Sequence, residues 1–248
     1  ILYQLLAISE ESPAMIKLAK LINLLAIFDN FKKMRTSSPS GILIVTAGGL
    51  GDTILFSLIL PRFLKLAGER ERVSVLIQNS SQKAAFLFPN LVEVICVNFP
   101  LFRNNLKYHK KIKKRLFDYN FRLVVSADFL RHPKLDEALI KACSPLDIIG
   151  MEPRSWPKYD SYLKKNRQMF SRLFDSGPKL QDKVVRWTSF ANWLLNEDEP
   201  PPKILFQQYE FKRTKKILKP ICIIQPFSAV KEKQSPVALY ETLLPLIP

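Results

Sequence analysis

Between residues 41 and 150, short apolar runs alternate with longer segments of helical period, and this alternation constrains the fold more than any single motif. Strands are expected at 42–46, 73–77, 92–97, 121–126 and 147–150. Helices are expected between them at 52–67, 80–88, 104–118 and 133–142. Strands and helices alternating at this spacing argue for an α/β fold built on a parallel, doubly wound sheet with helices on both faces. Residues 151–165 read as irregular, and a helix carrying Trp187 and Trp193 is expected at 182–197, its tryptophans packing into a core or a domain seam. TSSPSG at 36–41 and PPPK at 200–203 have the composition of breaks. They divide the chain into a helical extension and linker (1–40), a Rossmann-like domain (41–200) and the start of a second such domain (201–248). That start comprises a strand at 221–225 and a helix at 236–246. The chain begins at Ile1 and stops just after this helix has begun, so both ends are expected to be cut.

The first strand runs into GGLGDT at 48–53. A strand, a glycine turn and a helix in that order hold backbone N–H groups and a helix N-terminus open to an anionic ligand. No Gly-Lys-Ser/Thr closes the turn, so it is not a Walker A loop, and the third glycine of the dinucleotide fingerprint is missing. Asp52 then lies at or near the helix start, where an Asp satisfies free N–H groups as a cap. At a ligand-facing turn the same carboxylate can act as a general base toward a hydroxyl.

A second turn lies in IIQPFSAVKEKQSPVALYETL, residues 223–243. Ser228, Lys231 and Lys233 precede Ser235 and Pro236, and Pro is favoured at the first helical position. A hydroxyl and an ammonium just before a helix suit a phosphate or diphosphate, although a solvated charged loop has the same composition.

The net charge of +16 favours an anionic partner. Much of it comes from one span: Arg103, Lys107, Lys110, Lys111, Lys113, Lys114 and Arg115. No RRM, KH, zinc-finger or helix-turn-helix pattern accompanies it, so a nucleic-acid reading rests on charge alone. A solvated helix face, an anionic acceptor or lipid headgroups account for the run instead. His109 in this run is expected to face solvent, and His132 lies on the side of the sheet where doubly wound folds bind ligands. Cys96, Cys143 and Cys222 form no CxxC pair and read as buried free thiols of a reducing compartment. With only His109 and His132 available, a His-rich metal site is not expected. No apolar run reaches the roughly 20 residues needed to span a bilayer. An amphipathic helix is expected at 13–34, with Met15, Leu18, Ile22 and Leu25 at helical spacing.

Taken together, ILIVTAGGLGDTILFSLILPRFLKL and QPFSAVKEKQSP resemble the two signatures of glycosyltransferase family 9, the ADP-heptose:lipopolysaccharide heptosyltransferases. Gly51, Asp52 and Pro61 sit at the family's places in the first, and Pro226, Lys233 and Pro236 agree in the second. Gln225, Phe227, Gln234 and Ser235 depart from it. FRLVVSADFL at 121–130 resembles the family's fourth-strand region, with Ser126 in place of the usual acid and Asp128 nearby. The resemblance runs in order over residues 41–248. It implies a GT-B architecture of two Rossmann-like domains and inverting transfer of heptose from an ADP-sugar, with no metal or other cofactor required. The implied acceptor is an anionic, lipid-linked saccharide of the lipopolysaccharide core, met by a cytoplasmic enzyme bound peripherally to the inner face of an anionic membrane.

On this resemblance Asp52 is the base, Ser228 and Lys233 contact the donor diphosphate, and Gly49, Gly51, Arg103, Lys107 and His132 serve the acceptor. The family's later Asp-x-Gly-x-x-His-type motif would fall beyond Pro248, so residues 1–248 alone are expected to show no turnover and little donor binding. The competing expectation is a catalytically degenerate basic module that docks on anionic lipid or saccharide.

Overall fold

The computed structural model describes residues 37–203 and 236–243. The chain divides into two compact units, Ser9–Ile204 and a second made of Ile1–Ile8 with Leu205–Pro248. The expected helix at 13–34, the strand at 221–225, Cys222, Ser228 and Lys233 lie outside the described residues.

The first unit is built on one six-stranded sheet. Its strands are β1 (Ile42–Val45), β2 (Val73–Gln78), β3 (Val92–Val97), β4 (Leu123–Ser126), β5 (Asp147–Met151) and β6 (Arg172–Phe174). They lie in the order β3-β2-β1-β4-β5-β6, and every pairing is parallel. This is the strand order of a Rossmann-like sheet, reversing direction between β1 and β4. The inner strands β1, β2, β4 and β5 are rich in Val, Ile and Leu because both faces are covered.

One face packs against α1 (Leu50–Leu64) and α6 (Lys183–Leu195). Ile42, Ile44, Val75 and Val125 meet Phe56, Phe63, Trp187 and Phe190 there in a continuous core. The rings of Phe56 and Trp187 meet edge to face at 5.2 Å, and Phe63 meets Phe190 at 5.8 Å. The alternate residues Leu43, Val45, Leu76 and Val124 are equally buried but fall outside that cluster, as the two-residue period of a strand requires. α3 (Leu106–Asp118) and α4 (Asp136–Cys143) pack on one another and contribute buried Ile112, Leu116, Leu139 and Ile140.

Local chemistry sets most boundaries. Asp182 caps α6 by accepting the N–H groups of Val184 and Val185 at 2.8 and 3.1 Å. Asn196 and Ser144, both at positive φ, end α6 and α4. The end of α1 is tied to the chain leaving α6: Arg62 donates to the Asn192 side chain at 3.2 Å and pairs with Glu199 at 3.3 Å. Where β1, β2 and β4 begin, Glu71 accepts both Arg122 Nε and Nη2 at 2.6 Å and the Gly41 N–H at 3.0 Å. These bonds, the Arg122 pair foremost, hold its carboxyl down at about 2.

Two expectations need correction, and one helix was not foreseen. The basic helix expected at 104–118 is α3, and a separate short helix, α2 (Phe99–Asn104), precedes it; the Asn105 side chain accepts the Tyr108 N–H and starts α3 afresh. The region 151–165 is not wholly irregular: α5 (Asp160–Asn166) starts within it and leads on to β6, a strand too short to register as a periodic run. His109 is half-buried rather than turned fully to solvent; it stacks on Phe102 at 4.3 Å, with Nδ1 3.0 Å from the Phe102 carbonyl oxygen. Trp187 is buried and donates to the Ala127 carbonyl at 2.7 Å, whereas Trp193 is 38% exposed. Cys143 is buried, Cys96 is half-buried, and neither is in a disulfide. Among the described residues no helix is long and apolar enough to cross a membrane. In the second unit, α7 (Val237–Leu243) follows directly on Pro236.

Candidate functional site

In an open α/β sheet ligands bind beyond the carboxyl ends of the strands where the order reverses, here between β1 and β4. The segment leaving β1 is held tightly at that point. The Thr46 N–H bonds to the Leu76 carbonyl at 3.0 Å, and the Gly48 carbonyl accepts from the Gln78 side chain at 2.9 Å. Gly49 is the N-cap of α1, and Asp52 is its third residue. The Asp52 carboxylate turns back, and Oδ2 accepts the Gly49 N–H at 3.2 Å. Oδ1 accepts from the Lys183 ammonium at 2.6 Å, and the Asp52 side chain keeps 28% of its surface exposed. Asp52 is thus a fixed carboxylate at the helix N-terminus, open to a ligand on one side.

The glycines divide differently from the sequence expectation. A Cβ on Gly48 would stand 2.5 Å from Asp52 Cβ and 2.6 Å from its Oδ2. On Gly49 it would meet only the Gln78 amide at 3.8 Å, and on Gly51 nothing within 4 Å. Gly48, which the sequence reading passed over, is the residue that lets Asp52 fold back onto the turn. Gly48→Ala is therefore expected to push the carboxylate off its backbone donor and cut the activity proposed below severely. Gly51→Ala is expected to leave activity intact and to stabilise the exposed helix by about 0.5–1 kcal/mol. Rate measurements paired with thermal melts check both; equal rates for the two variants would contradict the geometry.

Asp128 completes the crevice from the β4 side. Its Oδ2 accepts the Ala47 N–H, one residue before Gly48. Burial pushes its carboxyl up to about 7, with the neighbouring charge of Asp52 adding to the rise and the Ala47 bond, Lys183 and Arg131 opposing it. Neither Asp128 nor Lys183 was assigned a role from sequence. Asp128 was visible only as an acid near the fourth strand, and Lys183 had no signal beyond its place after an Asp.

His132 is buried, with its ring 4.5 Å from Tyr159 and 5.7 Å from Trp156. Its Nδ1 accepts the Lys134 N–H at 3.1 Å, and the His132 backbone N–H donates to both oxygens of buried Asp136. Burial raises the Asp136 carboxyl well above the usual range. Burial, then the charges of Arg103, Lys134 and Lys158, push His132 down to about 3. The structure thus brings Arg103 into the neighbourhood of His132. Lys107 stands exposed on the first turn of α3, and nothing connects it to Asp52.

A histidine held neutral in the folded state contributes stability above its unfolded value of 6.5, and that contribution is lost as pH falls toward about 3. His132→Gln is expected to flatten this part of the acid limb in urea unfolding between pH 6.5 and 3. Parallel curves for the two proteins would reject the assignment. Among the described residues no three His, Cys, Asp or Glu side chains converge where a metal could sit.

No protein-family model and no curated protein matches the sequence. Among solved structures, a family 9 glycosyl transferase from Veillonella parvula is similar, with TM-score 0.50 and 14% identity over 65% of this chain and 43% of that one. The E. coli heptosyltransferase WaaC with ADP is similar at TM-score 0.47 and 17% identity, over 65% of this chain and 49% of that one. The chain spans less than half the length of these structures. The described α/β domain therefore has a Rossmann-like fold shared with a family 9 glycosyl transferase, as the motifs led one to expect.

Proposed function

We propose that this chain belongs to a glycosyltransferase of the inverting GT-B type, contributing its acceptor domain and the opening of its nucleotide-sugar domain. The observation that carries the reading is the placement of Asp52: a carboxylate pinned at the reversal point of the sheet, with a glycine turn beneath it and one side open. The acceptor hydroxyl oxygen attacks the anomeric carbon of an ADP-linked sugar, with heptose the first choice from the motif resemblance. Its proton passes to Asp52 as the new bond forms, and the bond to the diphosphate breaks with its electron pair leaving on ADP. Ser228 and Lys233 would receive that leaving charge. The shared fold and the two sequence signatures support this reading.

The test is ADP release from ADP-heptose by the complete protein, dependent on a lipopolysaccharide-core saccharide and matched by a mass gain in that acceptor. Absence of both, with other ADP-sugars also inert, would sink the enzyme reading.

A second reading, a basic module that docks on anionic lipid, is favoured by α3. Its exposed side chains Lys107, Lys110, Lys111, Lys114 and Arg115 recur at helical spacing and line one face. Anionic lipids attract such a face by about 1 kcal/mol per cation close to the membrane surface. Co-sedimentation is expected with phosphatidylglycerol vesicles and not with phosphatidylcholine, falling as salt rises. Binding that ignores lipid charge, or survives Lys110→Glu with Lys114→Glu, would reject the face. The transferase and docking readings are compatible, because an enzyme acting on a lipid-linked acceptor works at that surface.

A further inference from the structure

Asp52 and Asp128 come from different elements yet are fastened to the same turn. Asp52 takes the Gly49 N–H and Asp128 takes the Ala47 N–H, two residues away on one short stretch of backbone. Lys183 reaches in from a third element, the first residue of α6, and donates to Asp52 Oδ1 at 2.6 Å. Its charge also acts on Asp128. Two acids so near one another resist ionising together, and an ammonium beside them relieves that resistance.

We propose that Asp52, Lys183 and Asp128 act as one carboxylate–ammonium–carboxylate unit, in which Lys183 and Asp128 are positioning residues that tune Asp52 for proton acceptance. This rests on the glycosyltransferase reading. With Asp128 protonated, the unit is neutral and the ammonium belongs to Asp52. With Asp128 ionised, the unit carries one negative charge and the ammonium, bonded to Asp52, acts on both acids through space. Asp52 Oδ1 is then freer to accept hydrogen from a substrate hydroxyl. The groups that act on Asp128 are the Ala47 N–H on the β1 side, Lys183 on α6, Asp52 on α1, Arg131 beyond β4 and Asp136 on α4. Burial places its titration at about 7, so the unit changes charge within the working range of an ordinary cell.

The experiment has two arms. In the first, carboxyl carbons of aspartate-labelled full chain are followed by NMR across pH. Lys183→Met removes the cation from a side chain that is half in solvent, so the fold is retained. It is expected to raise the Asp128 midpoint by roughly one unit or more. Lys183→Arg keeps the charge and is expected to hold the midpoint within a few tenths of wild type. An unmoved midpoint in Lys183→Met overturns the inference.

In the second arm, the complete protein is assayed for sugar transfer against pH. Asp128→Asn keeps an acceptor for Ala47 but cannot ionise. It is expected to abolish the rise in kcat near neutral pH while leaving donor KM unchanged. A pH profile identical to wild type overturns the inference as well. A shifted midpoint in the first arm, with no transfer by the wild-type protein, counts against the glycosyltransferase reading and leaves the coupled unit standing.

Discussion

Asp52→Asn in the complete protein is expected to lower kcat for sugar transfer by roughly 100- to 10,000-fold, the usual worth of a positioned general base. The substitution keeps the shape of the side chain and an oxygen for the Gly49 N–H, which Asp52 now accepts at 3.2 Å. What it removes is the ability to take a proton and the charge that Lys183 pairs with. That pair is substantially exposed, so its loss costs the fold no more than about 1 kcal/mol. Thermal melting should therefore stay close to wild type while the rate collapses. A variant that retains a near-normal rate would remove Asp52 from the role of base. A variant that loses rate together with several degrees of melting temperature would show that the carboxylate serves the fold instead.

The largest expected effect on stability lies one layer below the site. Arg131 is fully buried and pairs with Glu137, also fully buried, at 3.1 Å. Its guanidinium lies 4.1 Å over the Phe170 ring, in space that exists because residue 150 is glycine: a Cβ there would come within 3.0 Å of Arg131 Nη1 and 2.9 Å of Phe170. Burial pulls the Arg131 guanidinium down from its ordinary value, with the Glu137 charge the first to oppose that pull. Glu137→Ala leaves a cation without its counter-charge in a dry layer, which costs about 3–5 kcal/mol. For a domain of this size each kcal/mol lowers the melting temperature by roughly 2–4 °C. Replacing both partners, Arg131→Met with Glu137→Leu, is expected to recover most of that loss, because apolar groups of similar volume do not need each other. Chemical denaturation of the single and double variants decides the matter. A Glu137→Ala protein as stable as wild type would mean that Arg131 reaches water or another acid.

The strands with several branched apolar residues, β1 to β5, were legible in the sequence, the inner ones because a strand covered on both faces is largely apolar. β6 was not. Its three residues, Arg172, Leu173 and Phe174, are too few to show a period, and only pairing with β5 makes them a strand. α2 was not foreseen either, because its six residues, Phe99–Asn104, are too few to show a helical period, and its separation from α3 depends on one Asn105 side chain accepting the Tyr108 N–H.

The site was legible in part. The glycine turn followed by an acid pointed to Asp52, because residues so close in sequence must be close in space. Which glycine matters could not be read, since that depends on where the Asp52 side chain goes after the helix begins. It goes back over Gly48 rather than over Gly49 or Gly51. His132 was read as a ligand-side residue from its place after a strand. The aromatic rings that bury it come from Trp156 and Tyr159, in the next loop along the sheet.

The sequence by itself determined the α/β class, the parallel sheet and the carboxylate at the head of the first crossover helix. These follow from local period, turn chemistry and the burial of both sheet faces, which neighbouring residues are enough to specify. Only the tertiary structure decided what surrounds that carboxylate. Lys183 arrives at Asp52 because α6 returns to the same face as α1, and Asp128 arrives because β4 pairs with β1 in register. Charges brought together from distant parts of a chain interact through space alone, and no spacing along the sequence encodes the distance between them.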